Sequence, residues 1–185
     1  MTVVEMADRV MSRVVSAEVS DYYQIEHTNQ GVKLRLSTGI AAIGGKKRVR
    51  NVVTSDDEEI PADLVVIGVG ILPNTELANA AGLDVDNGIV VDDHCVTSDP
   101  DIYAAGDCTL HPNAIYDRML RLESVHNALE QAKTAAANIC GNDTAYCDVP
   151  WFWSDQYDLK LQIAGLSEGY DDVVIRGNPA DCKSR

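Results

Sequence analysis

The sequence predicts an α/β fold, and three observations carry that prediction. "ADLVVIGVGILPN" (62–74) is a continuous apolar run ended by small residues and proline, the pattern of a parallel strand covered on both faces. "ESVHNALEQAKTAAANICG" (123–141) repeats apolar residues at helical spacing and stops at a glycine. Short β-rich stretches bounded by Gly, Pro, Asn and Asp fill much of the remainder.

Composition sets the outer bounds. At 185 residues and 45% hydrophobic, the chain is long enough for one ordinary domain or two small lobes. A net charge of -14 argues against nucleic acid or an anionic membrane surface as partner, since either would repel it. No apolar run is long enough to span a bilayer and the first residues lack a signal-peptide pattern, so the chain reads as cytoplasmic. The five cysteines, Cys95, Cys108, Cys140, Cys147 and Cys182, are odd in number and form no CxxC pair, which favours idle or buried thiols over a disulfide scaffold or zinc site. His27, His94 and His111 show no metal-ligand spacing, and no metal is expected.

The elements follow in order. Thr2 to Val4 are β-formers, and Glu5 stands where that strand ends. An acid at the tip of the second strand of a nucleotide-binding unit accepts hydrogen bonds from the adenosine ribose and so distinguishes NAD from NADP. No G-x-G-x-x-G loop precedes Glu5, however, and an exposed strand-end carboxylate is the competing reading. Ser16 is a fair N-cap, with Glu18 in the first turn, for a helix over Ala17 to Asn29 ending at Gly31. "GVKLRLST" then alternates as a strand. A hairpin follows, with Arg48 to Thr54 as a strand and Asp56 to Glu59 as a charged turn; its basic run Lys46, Lys47, Arg48 and Arg50 reads as a solvated tip.

In the apolar run that comes next, Gly68, Gly70 and Pro73 would let a ligand or crossing chain approach closely. A short helix runs from Leu77 to Gly82, and "GIVVDDHCVTSDPDIYAAGDC" predicts two strands, the second through Ile102 to Ala105 and ending at Gly106 and Asp107. In the following helix Val125, Ala128, Leu129, Ala132, Ala136 and Ile139 form the expected buried face. Pro150 opens "PWFWSDQYDLKLQIAGL", aromatic and then alternating, as an antiparallel strand would be.

"GVGILPN", "TSDPDIYAAGDC", "RLESVHNALEQAKTAAANICG" and "PWFWSDQYDLKLQIAGL" occur in the order seen in FAD-dependent, NADH-consuming ferredoxin reductases of the rubredoxin and putidaredoxin reductase type, and the chain resembles that family over nearly its whole length. An Asp after A-x-G is shared by many two-dinucleotide-domain flavoproteins, whereas the W-[FY]-W-S-D-Q stretch is narrower and points to the subgroup that feeds a small iron–sulfur or rubredoxin partner. The resemblance implies parts of two Rossmann-like dinucleotide-binding (FAD/NAD) domains plus the start of an α+β C-terminal interface domain. Residues 1–74 would be the tail of the NADH lobe, 75–149 the returning part of the FAD lobe, and 150–185 the start of the interface domain.

The same resemblance assigns site residues. Gly106 and Asp107 would receive the ribityl chain of FAD, against the plainer reading of Asp107 as a turn cap. The helix beginning near Glu123 would aim its amino terminus at the pyrimidine end of the flavin through Ser124, Val125 and His126, its partial positive charge favouring the negative charge gained on reduction. His126 as catalytic base is the weaker reading, since hydride transfer to flavin needs none. Trp153 would lie against the flavin ring or pack between domains. Glu5 would select NADH, with Gly68 and Gly70 bordering the nicotinamide channel. Arg118 and Arg121 are the local cations for an acidic ferredoxin, with surface solvation as the equal alternative.

Both glycine loops of the family are missing, and the carboxy-terminal domain stops early at "NPADCKSR". The 185-residue chain alone is therefore expected to hold neither FAD nor NADH tightly, and its uncovered strand edges suggest a homo-oligomer. Three function classes stay open: a flavoprotein oxidoreductase delivering electrons from NADH through FAD to a ferredoxin- or rubredoxin-type carrier, a non-catalytic piece retaining only dimerisation or partner binding, and a related FAD/NAD-linked disulfide reductase.

Overall fold

The structure, a computed structural model, describes residues 1–177, so "NPADCKSR", Cys182 included, lies outside the described residues. The chain divides into two compact units, Met1–Val69 joined by the stretch from Ser167, and Gly70–Leu166. Among the described residues no helix is long and apolar enough to cross a membrane.

In the first unit β1 (Thr2–Val4) runs parallel to β2 (Lys33–Arg35), with Val3 opposite Leu34, and α1 (Ala17–Asn29) makes the crossover. Helix α1 starts after Ser16 and is followed by Gly31 at φ +79°, both as its sequence predicts. Its buried positions include the small, polar Ser20, whose hydroxyl donates to the Val10 carbonyl at 2.6 Å and accepts from Arg9 Nη1 at 2.7 Å. The same guanidinium bonds the carbonyls of Val15 and Ser12, so one arginine folds the whole 9–15 loop onto the helix. Strands β3 (Ile40–Gly45), β4 (Val49–Thr54) and β5 (Glu59–Pro61) form an antiparallel meander. Gly45, at φ +135°, turns the β3–β4 hairpin where a Cβ would stand 2.0 Å from the Arg48 carbonyl oxygen, so only glycine fits.

The segment 62–74 is a correction to the sequence reading. It forms no strand, and Leu64, Val66, Val69 and Leu72 are 80%, 86%, 88% and 90% exposed. Among the described residues no strand pairs with it, so its N–H and C=O groups have no ladder to join and its apolar side chains no layer to cover them.

In the second unit α2 (Glu76–Ala80) leads into a four-stranded sheet of β6 (Val85–Asp86), β7 (Gly88–Val90), β8 (Thr109–Asn113) and β9 (Arg118–Leu120), with β7 and β8 parallel. Helix α3 (Val125–Ile139) follows, and β10 (Trp151–Gln156) and β11 (Leu159–Ala164) form an antiparallel pair, two strands where the sequence reading had one. Tyr116 Oη accepts the Leu166 N–H at 2.7 Å and ties the end of that hairpin to the β8–β9 turn.

Two expectations fail here for one reason. The strand expected over Ile102 to Ala105 is a loop with a single bridge, Val96 to Tyr103, and the real strand, β8, starts beyond Asp107. The apolar face expected to bury on α3 points outward, with Val125, Leu129 and Ile139 at 56%, 54% and 64% exposure. Buried instead are Asn127, Gln131, Thr134 and Ala135 on α3 and Thr109, His111 and Asn113 on β8. The core of this unit is largely polar and hydrogen-bonded, so hydrophobic periodicity points the wrong way in it. Asn127 Nδ2 donates to the Leu122 carbonyl at 3.2 Å, and its Oδ1 accepts from the buried Tyr146 hydroxyl at 3.0 Å. Burial pushes that hydroxyl up to about 12.

Two histidines give this unit a pH response. His111 is 1% exposed and meets the Tyr146 ring edge-on at 5.2 Å; burial drives it down to about 4. The unfolded chain then takes up the proton first, so stability is whole above about pH 6.5. It falls by up to about 1.4 kcal/mol per pH unit from there to about pH 4. The expected result is that His111→Phe flattens this acid limb in urea melts at successive pH values; an unchanged limb would assign it to other groups. His94 is clasped at 2.7 Å by Asp93 and at 2.8 Å by Asp143, while Asn138 Nδ2 holds the carbonyls of His94 and Thr144. Hydrogen bonds to those two carboxylates raise the His94 pKa, so the clasp is whole below the ordinary imidazole range and is lost as pH rises through the folded value. Asp143→Asn is expected to move the His94 titration, followed by NMR, to lower pH.

Candidate functional site

A turn, a helix start and a buried amide build the site in the second unit. Gly106 is buried at φ +94°, the left-handed region that suits glycine, and a Cβ placed on it would lie 3.7 Å from Ala128 Cβ in the first turns of α3. Its N–H donates to Gln131 Oε1 at 2.7 Å, from one helical turn further along. The next residue, Asp107, is exposed. The sequence reading placed Gly106 and Asp107 at a strand end; they lie instead just before β8, which begins at Thr109.

Ser124 is the N-cap of α3, extended at φ -149° and ψ 147°, and its hydroxyl accepts the Asn127 N–H at 3.1 Å. The first ladder bond runs from Ala128 N–H to Ser124 O, which leaves the N–H groups of Val125 and His126 outside the helix's own ladder. His126 Nδ1 is a buried ring nitrogen without a hydrogen-bond partner, and its Nε2 lies 3.9 Å from Asp148 Oδ2. A polar-headed ligand would find in one place an exposed carboxylate, unengaged helix-start donors and an orphaned ring nitrogen. Such a set suits a group with sugar hydroxyls and a ring that gains negative charge.

Arg121 differs from its expected role. Rather than standing free on the surface, its guanidinium side chain is 11% exposed: Nη1 donates to the Asp107 carbonyl at 3.3 Å, Nε to Asn87 Oδ1 at 3.3 Å, and Nη2 lies 2.9 Å from Glu123. It braces the turn from the side opposite Gln131. Arg118 is exposed on β9 and, with Asp93, Asn113, Met119, Tyr146 and Cys147, lines a surface cleft of about 310 Å³. Trp153 is 50% exposed on β10, opposite Gln162, in a strand that packs against α3.

In the first unit Glu5 ends β1 as expected. Its N–H bonds the Arg35 carbonyl at 2.8 Å, and Oε1 accepts the Ala7 N–H at 2.9 Å, which fixes the carboxylate at the strand tip with one oxygen still to offer. Gly68 meets nothing within 4 Å, and Gly70, at φ +98°, is exposed, so neither glycine is placed against a close neighbour in this chain. Sequence reasoning missed Gln131 and the inward turn of Arg121. The signal for the first was present as amide and hydroxyl side chains at 127, 131, 134 and 138, a polar stripe at helical spacing.

Residues 1–132 match the family described as pyridine nucleotide-disulphide oxidoreductase, and residues 151–184 match the one described as reductase C-terminal. The chain is 47% identical over 182 residues to putidaredoxin reductase CamA of Pseudomonas putida, covering 97% of this chain and 43% of that protein. The crystal structure of the ferredoxin reductase for the CYP199A2 system of Rhodopseudomonas palustris superposes with a TM-score of 0.94 at 48% identity, over 97% of this chain and 45% of the other. The covalent putidaredoxin reductase–putidaredoxin complex superposes with a TM-score of 0.92 at 47% identity, over 97% and 44%. The chain thus spans less than half the length of these proteins. With the family match running through Glu5, the Gly106–Asp107 turn and the start of α3, the chain belongs to the pyridine nucleotide-disulphide oxidoreductase family.

Proposed function

We propose that this chain is part of a flavoprotein oxidoreductase that passes electrons from NADH through FAD to a ferredoxin- or rubredoxin-type iron–sulfur protein. The observation that carries the reading is the Gly106–Asp107 turn held against the first turns of α3, with Val125 and His126 N–H groups outside the ladder. Residues 1–74 serve as part of the NADH-binding domain, 75–149 as the returning part of the FAD-binding domain, and 150–185 as the start of the interface domain. The protein works in the cytoplasm, where NADH is at hand and free thiols such as Cys95, Cys108, Cys140 and Cys147 persist.

When bound, FAD supplies the chemistry, accepting a hydride from NADH and releasing electrons singly. The chain's own residues bind and orient. Asp107 would accept hydrogen bonds from the ribityl hydroxyls of FAD, and Gly106 would let the backbone come close to it. The helix start at Ser124, Val125 and His126 would offer donors and the positive end of the macrodipole to the flavin. Trp153, half-exposed on β10, would shield the flavin ring. Glu5 accepts from the adenosine ribose hydroxyls and repels a 2′-phosphate.

The direct test is NADH-driven reduction of an iron–sulfur protein by the native protein; turnover of a disulfide or persulfide substrate in its place would favour the disulfide-reductase reading. Glu5→Ala is expected to lower kcat/KM for NADH about tenfold or more and to narrow the preference over NADPH, since hydrogen bonds to a charged group are worth about 1.5–3 kcal/mol. An unchanged NADH-to-NADPH ratio would remove Glu5 from the nucleotide site. Asp107→Ala is expected to weaken FAD binding by at least about tenfold on the same scale, read from the ratio of flavin to protein absorbance after purification. Full flavin content in that variant would leave Asp107 as a turn residue.

A further inference from the structure

Gln131 is 0% exposed, and its carboxamide oxygen is the acceptor for the Gly106 N–H at 2.7 Å; Thr109 Oγ1 lies 2.8 Å from the same oxygen. The Gly106 N–H is a donor, so it dictates that the oxygen of Gln131 faces it. The other end of the amide, Nε2, is buried without a hydrogen-bond partner. A residue retained for volume alone would not leave a buried amide nitrogen unsatisfied, a loss of about 1–3 kcal/mol. The side chain is there for its oxygen.

That oxygen acts at the pivot of the turn. Gly106 O accepts the Thr109 N–H at 3.0 Å and the Thr109 hydroxyl at 2.8 Å, so the peptide groups on either side of Gly106 are both fixed. Arg121 holds the Asp107 carbonyl from the far side at 3.3 Å. Between these anchors the backbone at Asp107 is fixed and its side chain is exposed.

We propose that Gln131 is a positioning residue for Asp107: through the Gly106 N–H it sets the turn in the shape that presents the Asp107 carboxylate to the ribityl chain of a flavin. The assignment rests on the flavin reading above but reaches a residue that touches no cofactor. It acts through another side chain, so its effect on FAD exists only while Asp107 is present.

The experiment measures two quantities in the native protein: hydrogen exchange at the Gly106 amide, which needs no flavin, and the FAD dissociation constant of the deflavinated protein by fluorescence titration. In the wild type the Gly106 amide is expected to exchange slowly; free exchange there would overturn the proposal before any substitution is made. Gln131→Met, close in volume and without an acceptor, is expected to speed that exchange at least tenfold and to weaken FAD about tenfold. Gln131→Glu, which keeps an acceptor oxygen and enters this fully buried site as the neutral acid, is expected to restore both. In an Asp107→Ala background Gln131→Met is expected to weaken FAD no further. Equal effects in the two backgrounds, or failure of Glu to rescue, would reduce Gln131 to a packing role while leaving the flavin site standing. A wild-type protein that takes up no FAD at all would overturn the flavin reading and this proposal with it.

Discussion

The second unit depends on one hydrogen bond, from the Gly106 N–H to the buried oxygen of Gln131. It joins the turn before β8 to the middle of α3, and the other polar contacts of the core extend from that junction. Thr109 Oγ1 lies 2.8 Å from the same oxygen, and four residues back along the helix Asn127 ties Tyr146 to the Leu122 carbonyl. At the far end Asn138 gathers the carbonyls of His94 and Thr144. A side-chain ladder thus runs the length of the helix's inner face. Each rung satisfies backbone groups of loops that have no regular secondary structure to satisfy them. In an interior of low dielectric such a network is worth more than its bonds taken singly, and an unmade bond costs correspondingly more.

This arrangement gives α3 two faces with opposite demands. Its inner face is hydrophilic and dry, while its outer face carries Val125, Leu129 and Ile139 in water. Turning the helix by half a turn would bring Asn127 and Gln131, now 1% and 0% exposed, into solvent. It would also leave the Gly106 and Leu122 backbone groups without partners. Specific polar bonds set the helix's rotation about its own axis, and hydrophobicity does not.

The same balance decides what could be read from the sequence. Where local rules and packing agree, the reading holds: α1 from its start after Ser16 to its following glycine, β1 ending at Glu5, and β4 within the expected Arg48–Thr54 all form as their residues dictate. Where burial is polar the reading inverts, because periodicity analysis assumes that the buried face is the apolar one. Strand β8, with Thr109, His111 and Asn113 turned in and Pro112 in its middle, carries no apolar alternation to find. The run from Leu64 to Leu72 fails differently: its composition describes a strand covered on both faces, and composition does not name the neighbour that must cover it. At the site, Asp107 and Ser124 were legible as motif positions. Gln131 and Arg121 were not, since their roles arise from contacts across 25 and 14 residues of sequence.

The inward turn of Arg121 also settles where positive potential at the site comes from. Glu123 lies 2.9 Å from its guanidinium and largely cancels it, and within the first unit Arg35 is similarly spent on Glu58. In a chain of net charge -14 the surrounding field is negative, and salt screens it beyond about 8 Å. What remains at the mouth of the site is the start of α3, worth about half a unit charge and built from backbone N–H groups. A positive end of that kind has no proton to lose. The helix dipole offers the same attraction to developing negative charge at every pH at which the helix stays folded. That persistence depends on the polar inner face of α3, which holds the helix start beside Asp107.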